Sequence, residues 1–87
     1  MYYLYVIQNE ANEYYLGYTA NLENRLADHN AGSNKSTKNH KWELVYYEAY
    51  VSEKYARNRE QALKKNRRMK TILLNRISES LSFLVVR

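Results

Sequence analysis

Two tyrosines could share one face of a sheet, and an arginine and a histidine could share one side of a helix. With a hairpin turn centred near Glu10, Tyr5 lies across from Tyr15, and the two phenols project from one face of a sheet. Arg25 and His29 are four residues apart, so they lie on one side of a helix. A phenol and an imidazole can exchange a proton, and a guanidinium can hold an anion. These four side chains are therefore candidates for catalysis or binding.

A carboxylate in the basic second half of the chain is the fifth candidate. Residues 53 to 70 contain eight basic side chains and only two acidic ones, one of which is Glu60. On a helix Glu60 falls beside Ala56 and Leu63, at the edge of the apolar stripe, where its carboxylate looks into a cleft lined by the sheet. The alternative interpretation is an ordinary ion pair with Lys64, four residues later on the same helix face.

Composition limits the class of protein. At 87 residues the chain is short enough for one domain with a thin core. Fourteen Lys and Arg against nine Asp and Glu leave a net charge of +5, which favours an anionic partner such as nucleic acid. The absence of cysteine excludes a disulfide framework and a thiolate metal site. Because no apolar run is long enough to span a bilayer and the start lacks the basic segment of a signal peptide, we expect a cytoplasmic protein without membrane contact.

The first half of the chain predicts a hairpin followed by a short helix. Residues 2 to 8 and 14 to 18 are aromatic or β-branched, and the turn-like sequence NEAN separates them. Thr19 is suited to cap the following helix, in which two leucines lie one turn apart. Gly32 is suited to the left-handed position that ends a helix.

The second half predicts one more strand and two more helices. Residues 32 to 41 form a polar, basic loop, and residues 42 to 50 read as a strand. Ser52 is predicted to cap a helix that runs to about Met69, with a break near Arg68 before the last helix. The order β-β-α-β-α-α predicts an α/β (α+β) fold with a small three-stranded, mainly antiparallel sheet flanked by helices. The sheet residues expected in its core are Leu4, Val6, Leu16, Leu44 and Val45.

Five short motifs in this order resemble a stand-alone GIY-YIG nuclease domain, similar to the catalytic domain of excinuclease C. The resemblance covers about residues 2 to 70 and starts with YLY at residues 3 to 5 and YLG at residues 15 to 17. The sequences NLENRLADHN, STKNHKWELVYYE and ARNREQALKK follow. Tyr3 replaces the glycine of the first motif, and Ser36 stands where relatives often carry tyrosine. The resemblance predicts one domain over residues 1 to 87, with residues 71 to 87 as a C-terminal helix and tail.

The resemblance implies a metal-dependent endonuclease that cuts phosphodiester bonds, with DNA as substrate, in repair or recombination. Glu60 would hold one divalent cation, Mg²⁺ or Mn²⁺. This ion would keep most of its bound waters because one carboxylate cannot supply a full set of protein ligands. Arg25 would clamp the scissile phosphate. Tyr5 would orient or deprotonate the attacking water, supported by Tyr15 and His29. Since a free phenol has a pKa of about 10, the positive charge of Arg25 and the metal must favour the phenolate.

Basic side chains on the loop and on the helices are the expected nucleic-acid contacts. They are Lys35, Lys38, Lys41, Lys64, Lys65 and Arg67. The alternative for this set is a solvated basic face, and the alternative function is a non-catalytic nucleic-acid-binding module. His29 alone is typical of a residue that interacts with the helix dipole, and Arg25 is expected to need a partner distant in sequence, rather than Asp28. The C-terminal tail SLSFLVVR could pair with a second copy of the chain.

Overall fold

The order of secondary-structure elements follows the prediction. The computed structural model describes the backbone of residues 1–86 and the side chains of residues 1–82. The elements are β1 (Tyr2–Asn9), β2 (Tyr14–Thr19), α1 (Leu22–Asn30), β3 (Trp42–Tyr50), α2 (Glu53–Lys65) and α3 (Arg67–Val86). The three strands form one antiparallel sheet in the order β2-β1-β3, so β1 lies in the middle. The predicted α+β fold is confirmed.

The register of the hairpin differs from the prediction. Tyr5 lies opposite Gly17, and Tyr15 lies opposite Ile7, so the two tyrosines are diagonal neighbours on one face. The side-chain oxygen of Asn9 accepts hydrogen bonds from the backbone amides of Ala11 and Glu13, which holds a four-residue loop between the strands. The predicted pairing of Tyr5 with Tyr15 was wrong because this loop moves the centre of the turn by one residue.

Each face of the sheet has its own core. Leu4, Val6 and Leu16 point to α2 and α3, where they are buried against Leu63 and Leu73. On the opposite face, β1 and β3 pack against α1; this cluster contains Tyr5, Ile7, Trp42, Leu22 and Leu26. Of the predicted core residues, Leu4, Val6 and Leu16 are buried, whereas Leu44 and Val45 are only partly buried at the margins of the two clusters.

The helix boundaries correct three details of the prediction. Asn21, not Thr19, caps α1, because its side-chain oxygen accepts from the amide of Asn24 at 3.0 Å. Ser52 precedes α2 but makes no side-chain capping bond. The break between α2 and α3 is at Asn66, whose extended backbone ends one helix while its side chain accepts from the amide of Met69 in the next. No helix in the described part of the chain is long and apolar enough to cross a membrane.

Two predictions concern the ends of α1 and α3. Gly32 has a φ of 79°, which confirms the left-handed position after α1. The predicted pairing of two chains through the tail depends on side chains after residue 82, which lie outside the described ones.

Candidate active site

The phenol of Tyr5 lies at the centre of the candidate site. This residue is 2% exposed although its hydroxyl is polar. The Nε of Arg25 donates to the hydroxyl oxygen at 3.3 Å, and Nε2 of His29 lies 2.8 Å from the same oxygen. The helical spacing places Arg25 and His29 on one side of α1, as predicted, and in the structure both contact the same strand residue.

Gly17 makes room for this phenol. A Cβ built on Gly17 would lie 2.6 Å from Cζ of Tyr5 and would also overlap its hydroxyl. Gly17 is the cross-strand neighbour of Tyr5, so the ring lies directly over the backbone of β2. The glycine of the YLG motif therefore has a steric reason to be a glycine.

Gly17→Ala is expected to displace Tyr5 from Arg25 and His29, with loss of any activity that needs their contact. Gly32→Ala is the matched control, because its new Cβ would have only Lys38 as a neighbour, at 3.9 Å. The control should cost about 1–2 kcal/mol of stability, since Gly32 has a positive φ. Thermal unfolding and activity measured on both proteins check this. Full activity per folded Gly17→Ala molecule would contradict the steric argument.

His29 connects Tyr5 to the polar loop between α1 and β3. Its imidazole is fully buried, and Nδ1 lies 2.7 Å from the hydroxyl oxygen of Thr37, which is also fully buried. The Thr37 hydroxyl donates to the carbonyl of Asn34 at 3.4 Å. We therefore assign the proton to Nδ1, which donates to Thr37 and leaves Nε2 to accept from Tyr5. The hydrogen bonds run from Arg25 through Tyr5 and His29 to Thr37.

The protonation states follow from burial. Burial, with a smaller contribution from the charge of Arg25, lowers the pKa of His29, so its imidazole is neutral at pH 7. Burial also raises the pKa of Tyr5, and this effect outweighs the hydrogen bond from Arg25, which lowers it. The expectation that Arg25 favours the phenolate is correct in direction. The residues of the protein nevertheless leave Tyr5 protonated, and a neutral His29 is in place to take its proton.

The stability of the fold should depend on pH through His29. Because the folded pKa lies below the usual 6.5, the unfolded chain binds this proton first as the pH falls. The contribution of the neutral His29 to the free energy of unfolding is therefore complete above about pH 6.5, and it is lost as the pH falls through the folded pKa of this residue. Urea unfolding between pH 7.5 and 5 should show a falling free energy of unfolding, with a smaller slope in His29→Gln. Equal slopes would contradict a buried neutral imidazole.

Tyr15 contributes its aromatic ring to the site. The ring meets that of His29 edge to face, with 5.0 Å between the ring centres. It also lies 6.3 Å from the ring of Trp42, and Nζ of Lys64 lies 5.6 Å from its centre. Tyr15 thus packs against the imidazole on one side and faces a cation from α2 on another.

Glu60 lies on α2, which packs on the face of the sheet opposite to Tyr5. Its side chain is 17% exposed, and its charge is among the causes that raise the pKa of Tyr5. Lys64 donates to its carboxylate at 3.2 Å, so the ion pair proposed as the alternative does form. Within the described residues no three His, Cys, Asp or Glu side chains cluster as metal ligands. A lone carboxylate suits a cation such as Mg²⁺ that keeps most of its waters.

Arg25 has two kinds of partner. Its bond to Tyr5 confirms that it has a partner distant in sequence. Its Nη1 also lies 3.9 Å from the carboxylate of Asp28, which the prediction had set aside and which a three-residue helical spacing allows. The side chain remains 35% exposed. Part of the guanidinium therefore faces outward beside the buried phenol.

The family model for the GIY-YIG catalytic domain matches residues 1–72. The chain belongs to the GIY-YIG family. GIY-YIG domains are generally nucleases that use divalent metal ions.

The curated relatives are small proteins with the name UPF0213. One from Staphylococcus haemolyticus is 42% identical over 64 residues, which cover 71% of this chain and 78% of the relative. One from Streptococcus pyogenes is 36% identical over 67 residues, covering 75% and 73%. One from Streptococcus pneumoniae is 32% identical over 68 residues, covering 76% and 69%. No solved structure matches the chain significantly.

The six basic residues predicted to contact nucleic acid all lie on the surface of this GIY-YIG domain. Three are on the loop and three on α2 and α3: Lys35, Lys38, Lys41, Lys64, Lys65 and Arg67. The loop itself is anchored, because the carbonyl of Thr37 accepts from the indole of Trp42 at 2.8 Å. At its end Glu10 accepts from the amide of Lys41 at 2.9 Å. The loop that carries three of these cations is thus tied to Trp42 and to the hairpin turn.

Sequence reasoning missed two sets of polar contacts in this GIY-YIG domain. Thr37 makes one: it lies in an aperiodic polar loop, where no local pattern distinguishes a buried threonine from its exposed neighbours. The second is the pair of Glu48 and Arg59, which joins β3 to α2 next to Glu60. The position of Glu48 among three tyrosines of β3 was a usable signal, because a half-buried carboxylate needs a cationic partner.

Proposed function

We propose that this protein is a metal-dependent endonuclease that hydrolyses phosphodiester bonds in DNA, in the cytoplasm, in repair or recombination, and that residues 1–87 form one such domain. The hydrogen-bonded chain from Arg25 through Tyr5 to His29 is the observation that carries the proposal. In this chain of contacts, an anion-binding group and a proton acceptor both contact the same hydroxyl. Glu60 on α2 supplies a carboxylate, and its partner Lys64 reaches the ring of Tyr15.

Arg25 is proposed to bind the scissile phosphate. Its Nε is engaged with Tyr5, which fixes the plane of the guanidinium. The outward nitrogens can donate two parallel hydrogen bonds to phosphate oxygens. The same side chain therefore ties the position of the phosphate to that of the phenol.

Tyr5 and His29 are proposed to act together as the general base. The phenol oxygen takes a proton from the attacking water while the phenol proton moves to Nε2 of His29, 2.8 Å away. The resulting imidazolium still donates its Nδ1–H hydrogen bond to the hydroxyl oxygen of Thr37. Tyr5 thus avoids a free phenolate, which its raised pKa disfavours. Tyr15 keeps the imidazole in place through ring contact.

Glu60 is proposed to hold one Mg²⁺ or Mn²⁺ ion. Bound there, the ion would stabilise the charge that develops on the phosphate and on the leaving oxygen. Lys64, which pairs with Glu60, is about half exposed, so it can leave the carboxylate and turn to a phosphate.

DNA binding should depend strongly on salt. If all six exposed basic residues neutralise a phosphate, affinity should fall roughly a thousandfold between about 50 and 200 mM salt, with little dependence on base sequence. Fluorescence anisotropy with a labelled oligonucleotide measures this. Affinity that stays level over the same range would contradict the basic surface as the binding site.

The alternative function is a nucleic-acid-binding module without catalysis, which the exposed basic surface alone would also support. A panel of labelled duplex, branched and single-stranded DNA and of RNA, with and without Mg²⁺ or Mn²⁺, separates the two. The endonuclease proposal expects strand breaks in at least one substrate, only with metal. Salt-dependent binding without any breaks would favour the binding module.

A further inference from the structure

A polar cluster on the opposite edge of α2 from the candidate site is not explained by packing alone. Glu48 on β3 accepts from Nε of Arg59 at 2.9 Å and from its Nη2 at 3.1 Å, a two-pronged ion pair. The hydroxyls of Tyr46 and Tyr50 donate to the same carboxylate at 2.5 and 2.6 Å. Four donors thus meet one carboxylate that is largely shielded from water.

The position of Arg59 in the sequence connects this cluster to Glu60, the next residue. A helix turns by about 100° per residue, so Arg59 and Glu60 lie about 50° to either side of the line through Ala56 and Leu63. Ala56 and Leu63 are the fully buried residues that face the sheet. Arg59 therefore points toward β3, at one edge of the sheet, and Glu60 points toward the other edge.

Apolar contacts alone would not fix this orientation. Ala56 is small and Leu63 is one side chain, and burial of apolar surface has no directional preference. A guanidinium that bonds a carboxylate with two parallel hydrogen bonds does have one. The four donors, moreover, hold the carboxylate in a single position. A rotation of α2 that moved Glu60 away from Tyr5 would break both bonds between Arg59 and Glu48.

We propose that Glu48 and Arg59 are positioning residues, which set the rotation of α2 on the sheet so that Glu60 and Lys64 face Tyr5 and Tyr15. The effect of this orientation on catalysis rests on the proposed function. The orientation of α2 itself can be measured whether or not the protein cuts DNA. Lys64 lies over the ring of Tyr15, 5.6 Å from its centre, and it follows the rotation of the helix.

The test compares Arg59→Gln with Arg76→Gln, an exposed arginine on α3 that loses the same charge. The Tyr15 ring current should displace the NMR shift of the Lys64 ε-methylene in the wild type; Tyr15→Leu identifies the contribution. Arg59→Gln should lose this displacement, and Arg59→Lys should keep part of it. Arg76→Gln should keep all of it. Unchanged Lys64 shifts in folded Arg59→Gln protein would overturn the proposal, whatever happens to the melting temperature.

A second measurement, of metal binding, tests whether the orientation of α2 matters for Glu60 as a metal ligand. Binding of Mn²⁺, followed by electron paramagnetic resonance, should weaken about tenfold in Arg59→Gln and in Glu48→Gln, as is typical when a residue supporting a metal ligand is lost. The double variant should lose no more than either single one. Wild-type Mn²⁺ affinity in both variants would overturn this consequence. A wild type that binds Mn²⁺ at Glu60 but cuts nothing would reject the proposed function, and the Lys64 shifts would still decide the positioning role.

Discussion

Tyr5→Phe is expected to lower the cleavage rate by about 10²–10⁴, the usual contribution of a general base. The substitution keeps the ring over Gly17 and removes only the hydroxyl that contacts Arg25 and His29. Affinity for DNA should stay near that of the wild type, since the phosphate contacts remain. Single-turnover cleavage with saturating protein measures the chemical step apart from binding.

The structure also predicts the cost of Tyr5→Phe to stability. Nε2 of His29 is left as a buried acceptor without its phenol, which costs about 1–3 kcal/mol. Tyr47→Phe is the matched control: Tyr47 is 53% exposed and is the other cross-strand neighbour of Tyr5. The control should keep both activity and stability. Equal cleavage rates for wild type and Tyr5→Phe would remove the phenol from the mechanism.

Glu60→Gln is expected to abolish metal-dependent cleavage while DNA binding is kept or strengthened. The amide keeps the size of the side chain but is a poor ligand for a hard cation. It also removes a negative charge that repels the phosphate backbone from a basic surface. Cleavage, anisotropy and thermal melting on one preparation measure the three quantities together.

The ion pair with Lys64 predicts a different result for the same variant. If Glu60 serves only that pair, Glu60→Gln should cost a few tenths of a kcal/mol, in the range of about 0.3–0.5 for such pairs, and leave cleavage intact. Lys64→Met is the companion variant, because it removes the pair and keeps the carboxylate. It should retain a metal-dependent activity, with weaker DNA binding.

The order of the elements and the sharing of one helix or strand face by candidate side chains were predictable because they depend on local periodicity. Arg25 and His29 share a helix face by spacing alone, and Leu4 and Val6 alternate with Tyr5 along a strand. The register of the hairpin was not predictable in the same way. It depends on Asn9, whose side chain accepts two loop amides and lengthens the turn.

The remaining parts of the site depend on contacts distant in sequence. Thr37 becomes buried only because the loop folds back over His29 and Trp42. Arg59 finds Glu48 eleven residues earlier, on another element, so no helix pattern marks it. The net rise of the Tyr5 pKa was not predictable for a related reason, since burial by the whole fold outweighs the hydrogen bond from Arg25.

The central claim is that these side chains together cut a phosphodiester bond with the help of a metal. Wild type, Tyr5→Phe and Glu60→Gln, purified identically, should be incubated with one labelled DNA in Mg²⁺, with a chelator as blank. Identical purification matters because a contaminating nuclease would act equally in all three. We predict strand breaks from the wild type in Mg²⁺ and almost none from either variant or in the chelator. Breaks of equal yield in the three proteins, or in the chelator, would contradict the claim.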